Sequence, residues 1–306
     1  MSAAPPFSDL TVSTATVMVY TNLTFSLDAI YASIPIYPCE GVIAKKKIEA
    51  PYGSIVCVQN KDAVRGLDLR KSRSRKKTDR RRFTFFLNQI TIELSLPREG
   101  KVGNSLLNIM MFRDNFKIVG CKGENSAVEA VMILWEDYLA PHPELWSLAE
   151  GETSPKFLFE VVMQNLGFSL GFPIDRESLN TVMNSRELSK RVAFSKYEPT
   201  INTNVNIKMY YTPTSPLRDV LVYPEPTCRT PHFILLPRES FREGKKKKTK
   251  PNFITFIVFS SSKIILSGRD PVAMREMYAF FTETLLARRG EIEEKFTVPT
   301  VPFTWE

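Results

Sequence analysis

Histidine is nearly absent from this chain: its 306 residues include two, His142 and His232, each beside a proline. That leaves too little for a His-rich metal site or a Ser/His/Asp relay. Cysteine is sparse as well. Cys39, Cys57, Cys121 and Cys228 are scattered without a CxxC spacing, so neither a zinc ribbon nor a disulfide framework is indicated, and a reducing compartment is expected. No apolar run approaches the roughly 18 residues that a membrane span needs. The opening "MSAAPPFSDL" has neither a basic n-region nor an apolar h-region. These absences predict a soluble, non-secreted protein that is not an enzyme, takes no cofactor or metal and no small-molecule substrate, and has no membrane partner.

What the chain does have is positive charge in blocks. Lys plus Arg is 41 against 33 Asp plus Glu, a net charge of +8. The excess concentrates in "AKKK" (44–47), "RKSRSRKKTDRRR" (70–82) and "GKKKKTK" (244–250). Such blocks attract polyanions through counterion release, although solvated loops that keep a protein soluble read the same way. With 43% hydrophobic residues, the chain is long enough to bury one large core or two modest ones.

The pattern of elements repeats. In "FITFIVFSSSKIILSGRDPVAMREMYAFFTETL" (253–285), a β-branched and aromatic strand is followed by a serine turn, a second strand ending at Gly268, and a helix. Asp270 suits the N-cap, Pro271 the first helical position, and Met274, Met277, Tyr278, Phe281 and Leu285 recur at helical spacing. "NIMMFRDNFKIVGCKGENSAVEAVMILWEDYL" (108–139) runs through the same order, with Val128, Val131, Trp135 and Leu139 on one helix face. Upstream of each lies a strand and short helix, 10–34 and 159–183. Between them sits one alternating strand, "LNQITIELSL" (87–96) or "NVNIKMYY" (204–211). Each half is thus expected to be β-α-β-β-β-α. Helices would cover one face of a continuous antiparallel sheet and leave the other uncovered, unless the insertions fold over it.

The expected boundaries are a first repeat over 8–139 with an insertion at 35–83, a linker over 140–157, a second repeat over 158–290 with an insertion at 212–252, and an extended tail over 291–306. Insertions of this length are usually functional or disordered.

Element order and local wording together resemble the TATA-box-binding protein family. "FPI" (172–174), "FSKYEP" (194–199) and "FIVFSSSKIILSG" (256–268) are similar to that family's second repeat, and "LTVSTATV" (10–17) to its opening strand. Setting the insertions aside, the resemblance covers nearly the whole chain. The added length and divergence resemble the versions carried by large eukaryotic DNA viruses. The resemblance implies an α+β, two-repeat saddle whose concave sheet face lies in the DNA minor groove. Apolar contacts there read A·T-rich sequence, and phenylalanine pairs wedge between base steps to bend the duplex.

Carried over residue by residue, the wedge phenylalanines fall on Phe112 and Phe259, and their partners on Leu87 and Asn202. Groove-lining positions fall on Val12, Thr14, Met110, Ile118, Ile257, Ile265 and Ser267. Phosphate-contacting positions fall on Lys208 and Lys263. In the first half the corresponding residues are Glu93 and, by ungapped pairing, Phe116; a one-residue slip in the "RDNF" turn would place Lys117 there instead. The asparagines at the centre of the saddle fall on Leu10 and Met163, with Asn165 two residues along the same strand face. "SKYEPT" matches a loop that touches the B-type initiation factor, with Tyr197 and Glu198 as the candidate contacts.

The implied function is a transcription initiation factor that binds and bends A·T-rich promoter DNA and nucleates a preinitiation complex with a B-type factor and RNA polymerase. Its setting would be a nucleus or a cytoplasmic viral factory, with packaging in the virion a further expectation. The competing reading is an interaction scaffold of the same fold that holds transcription proteins together without bending DNA. On a plainer reading still, Phe112 and Phe259 are core aromatics and Lys208 and Lys263 solubilising charges.

Overall fold

The computed structural model describes residues 4–38, 50–67, 87–97, 104–200, 204–212, 218–225, 228–237 and 252–295. The basic blocks at 44–47, 70–82 and 244–250, the wedge position Asn202 and tail residues 296–306 lie outside them. The chain divides into two compact units. Unit 1 comprises Met1–Ser13, Asn165–Ser215 and Lys246–Glu306; unit 2 comprises Thr14–Gln164 and Pro216–Lys245. Antiparallel strands and helices make this an α+β protein. Among the described residues no helix is long and apolar enough to cross a membrane.

Unit 2 takes its strands from β1 (Val12–Thr21), β3 (Ile55–Asn60), β4 (Ala63–Gly66), β5 (Ile90–Pro97), β6 (Asn104–Met111) and β7 (Asn115–Cys121), in the spatial order β1-β7-β6-β5-β3-β4. β2 (Leu23–Phe25) pairs separately with β8 (Trp146–Leu148). The helices are α1 (Leu27–Ser33) and α2 (Glu124–Ile133), the latter continued by a π-helical turn over Leu134–Leu139. Strand alternation assigns one set to the core: Ala15, Val17 and Val19, then Ile90, Ile92 and Leu94, then Leu107, Ile109 and Met111, then Phe116 and Ile118. Aromatic rings extend that core, with Trp135 5.6 Å from Phe157 and 5.0 Å from Trp146.

The register of β7 settles the slip left open by the sequence. Ala15 pairs with Cys121 but Thr16 with Val119, so Gly120, at φ 93, is an extra residue bulged out of the ladder. Lys117 faces away from the core, opposite Met18 and Met110, while Phe116 is buried, because the turn from Met111 to its partner Phe116 is one residue shorter than that from Val258 to Ile264. Lys117, opposite Met110, stands where Ile265 stands opposite Ile257 in the second half, and Asn115 is the residue that meets Phe112.

Unit 1 repeats the plan with the end of β9 (Phe157–Ser169), β10 (Val192–Tyr197), β11 (Asn204–Tyr211), β14 (Asn252–Phe259) and β15 (Lys263–Gly268), in the order β10-β11-β14-β15-β9. α3 (Arg176–Met183) and α4 (Pro271–Ala287) begin at Asp175 and Asp270, whose carboxylates accept the first free helix N–H groups; α5 (Arg289–Ile292) follows. Val205, Ile207, Met209, Ile254, Phe256, Val258, Ile264 and Leu266 cluster with Leu179, Met274, Met277, Phe281 and Leu285. Phe256 stacks on Phe281 at 3.9 Å. Gly268 is needed where α4 crosses the sheet: a Cβ there would meet Ile254 Cδ1 at 2.6 Å and Met274 Cγ at 2.7 Å.

Each unit contains strands that the sequence did not suggest, β3 and β4 within the insertion 35–83 and the edge strand β10 within "VAFSKY". The expected β-α-β-β-β-α order is corrected to include them. The insertion at 212–252 supplies a hairpin, β12 (Arg218–Glu225) and β13 (Cys228–Pro237); β12 pairs with Phe157–Phe159 at the start of β9.

Candidate nucleic-acid interface

The sheet face of unit 1 that turns away from α3 and α4 is built by alternation alone. Every second residue of each strand is buried under the helices, so the intervening residues must share the other face. These are Phe194 and Lys196 on β10; Asn204, Asn206, Lys208 and Tyr210 on β11; Phe253, Thr255, Ile257 and Phe259 on β14; Lys263, Ile265 and Ser267 on β15; and Asn165, Gly167 and Ser169 on β9. Register aligns them in rows. Phe194 lies opposite Lys208, Lys208 opposite Thr255, and Thr255 opposite Ser267, whose hydroxyl donates to Asn165 Oδ1 at 2.7 Å. A second row runs Lys196, Asn206, Ile257, Ile265.

Seven expected contacts meet on this face: Asn165, Lys208, Ile257, Phe259, Lys263, Ile265 and Ser267. Its strand positions carry three lysines and no carboxylate. The Lys208 ammonium lies 5.3 Å from the ring centre of Phe194 and 5.7 Å from that of Phe253, which holds the long side chain over the sheet. Asn206 Oδ1 is a buried acceptor with no hydrogen-bond partner among the described residues. The β14–β15 turn is fixed by Ser262, at φ 64, whose hydroxyl pairs with that of Ser169 at 2.5 Å. Lys263 is thereby placed at the exposed start of β15.

The corresponding face of unit 2 differs. Thr14, Met110 and Lys117 occupy it, alternating with the buried Ala15, Ile109 with Met111, and Phe116. Phe112 follows β6 half-buried, its N–H donating to the Asn115 carbonyl at 2.8 Å, and Leu87 stands 73% exposed in the turn before β5. Ile118, expected among the groove contacts, is fully buried on the core side at 0% exposure, because the shorter β6–β7 turn sets it opposite the core residue Ile109. Val12, in unit 1, is half-buried and packs against that unit's core cluster. At the centre of the unit 2 face is a carboxylate. Glu93, 7% exposed, accepts from Asn108 Nδ2 at 2.8 Å, and Ser95 Oγ donates to the Ala50 carbonyl at 3.2 Å. Ala50, Val56 and Cys57, all from the insertion, form a small apolar cluster with Val64 and Leu106, so part of the insertion closes over this edge.

Tyr197 and Glu198 separate at the end of β10. Tyr197 packs on the unit 1 core under the Arg176 guanidinium, 5.2 Å from its ring centre, while Glu198 is exposed and accepts from Thr200 Oγ1 at 2.9 Å. "SKYEPT" is thus half strand and half turn, not a loop throughout. The aromatic corner of Phe194, Tyr210 and Phe253 was not among the expected site residues. The alternation of "NVNIKMYY" and "NFITFIVF" signals two of the three, since Tyr210 shares parity with Lys208 and Phe253 with Ile257.

An antiparallel sheet backed by helices is the class of architecture on view. Among solved structures, one described as Methanococcus jannaschii TBP aligns with 91% of this chain and 98% of its own length, at 9% identity and a TM-score of 0.42. No protein-family profile matches the sequence, and no curated protein matches it.

Proposed function

We propose that this protein is a TATA-box-binding-protein-like transcription initiation factor that engages A·T-rich promoter duplex through the minor groove. One observation carries the reading: the helix-free face of unit 1, where Asn165, Lys208, Ile257, Phe259, Lys263, Ile265 and Ser267 share one surface with three lysines and no strand carboxylate. Rows that mix isoleucine and small polar side chains with lysines suit a groove whose walls are phosphates and whose floor offers few polar distinctions. Phe259, at the end of β14, is the wedge. Sequence preference would come largely from how cheaply the duplex deforms. Assembly with a B-type factor and RNA polymerase belongs to the same proposal, with exposed Glu198 as a contact.

The buried Glu93–Asn108 pair favours a second reading for part of the molecule, in which unit 2 holds other transcription proteins and does not itself grip DNA. The deciding experiment measures binding and bending of a fluorescent A·T-rich duplex at two salt concentrations, for the natural protein and for Phe112→Ala/Phe259→Ala. Tight binding with a bend that the double variant abolishes supports the saddle mechanism. Salt-sensitive binding without a bend, unchanged by the substitutions, leaves the scaffold reading.

A further inference from the structure

At the β10 end of the unit 1 face, three aromatic side chains that the duplex reading does not use form a platform around Lys208. Tyr210 lies directly opposite Phe253 across β11 and β14, with ring centres 5.4 Å apart and planes inclined at 41°. Phe194 lies opposite Lys208, whose ammonium sits between the rings of Phe194 and Phe253. Phe194 is 40% and Tyr210 45% exposed, although the helix-side core of the same unit is almost wholly buried. An exposed cation–π contact is worth only about 0.5–1 kcal/mol, too little to account for two large rings left in water. The platform is also rigid. The Tyr210 N–H donates to the Arg191 carbonyl at 2.8 Å, and the Arg191 guanidinium sits 4.6 Å from the Phe280 ring centre.

We infer that Phe194, Tyr210 and Phe253, with Lys208 and exposed Lys196, form a subsite for unpaired bases of single-stranded nucleic acid. The inclined rings of Tyr210 and Phe253 do not stack face to face, so π-surface remains for a base, and an exposed aromatic beside lysine is the combination that tracks single strands without reading sequence. Charge selects this occupant over an acidic protein segment only together with the rings, because a base supplies the flat partner that the rings lack and its phosphate supplies the anion. The lysines at 245–248 and 250, just upstream of Phe253 in sequence, add charge of the same sign but are not counted in the site. The inference goes beyond duplex recognition and stands or falls separately from it.

The test uses the full chain and fluorescein-labelled oligothymidylate of about a dozen nucleotides, within the range of single-strand site sizes, with an A·T-rich duplex as the parallel probe. Phe194→Ala/Tyr210→Ala removes the two exposed rings, and an unchanged melting temperature checks the fold. Single-strand affinity is expected to fall roughly tenfold or more, while duplex affinity falls by much less and Tyr210→Phe binds the single strand as the natural protein does. Unchanged single-strand binding by the double variant would mean that charge alone holds the strand, and would overturn the proposal. So would equal loss on both probes, which would make the corner part of the duplex face, or no oligothymidylate binding by the natural protein. A natural protein that binds oligothymidylate but not the duplex would sink the promoter reading and leave this one standing.

Discussion

Lys208 in unit 1 and Glu93 in unit 2 occupy comparable places, each on the face turned away from the core, Lys208 on β11 beside β10 and Glu93 on β5 beside β3. Their surroundings have opposite character. Lys208 lies between Phe194 and Thr255, its charge over two rings and within reach of solvent. Glu93 lies between Cys57 and Asn108, buried and hydrogen-bonded from within. A buried carboxylate is tolerable only when its acceptors are satisfied. Unit 2 has therefore buried this part of the face around Glu93, and unit 1 has kept it as a surface. Similar strand orders thus support two different uses, and the difference follows from a few side chains and from where the insertion packs.

Exchanging the charges is the strongest way to break the comparison. Glu93→Lys puts a cation where Asn108 donates and no water reaches, and the loss expected is roughly 3–5 kcal/mol, as when one partner of a buried charged pair is replaced. Lys208→Glu, on the open face, should change stability by no more than about 0.5 kcal/mol while abolishing most duplex affinity. Urea unfolding of both variants reads the contrast. Equal stability losses would show that the two faces are not differently buried.

A smaller effect separates the faces by salt. If unit 1 carries the phosphate contacts, Lys208→Gln and Lys263→Gln should each lower the slope of log affinity against log salt by about 0.9, whereas Lys117→Gln on the unit 2 face leaves it unchanged. A slope that falls equally for Lys117→Gln would extend the phosphate footprint to both units.

Much of this was legible in the sequence where one period dominates. "NVNIKMYY" and "FIVFSSSKIILSG" alternate cleanly, and the face of each residue follows from its parity, so seven of the expected contacts share one surface. Asp270–Pro271 likewise marks the start of α4. The failures have local causes. The β6–β7 turn is one residue shorter than the β14–β15 turn, so an ungapped comparison of the halves puts Ile118 where Lys117 stands, on the wrong face. β10 was missed because "VAFSKY" carries one regular alternation too few, with a register shift between Val192 and Phe194. β3 was hidden inside an insertion, and the packing of Ala50 and Cys57 on Leu106 is a tertiary fact with no sequence period at all.

The helix starts divide the units a second time, and here the effects are smallest. α3 and α4 of unit 1 are capped by Asp175 and Asp270, and either Asp→Ala change should cost about 1 kcal/mol. In unit 2, neither α1 nor α2 has a side-chain cap. The N-cap of α2 is Gly123, whose φ of 169° is extended backbone that any residue adopts, and a Cβ there would meet nothing within 4 Å. Gly123→Ser should therefore supply the missing acceptor to the Asn125 or Ser126 N–H without strain. The gain is a few tenths of a kcal/mol, seen as a rise in melting temperature of about 1 °C. A fall in melting temperature would mean that the Ser126 hydroxyl, which already donates to the Gly123 carbonyl at 3.0 Å and accepts from the Lys122 N–H at 3.1 Å, organises this end of the helix, and that a second hydroxyl competes with it.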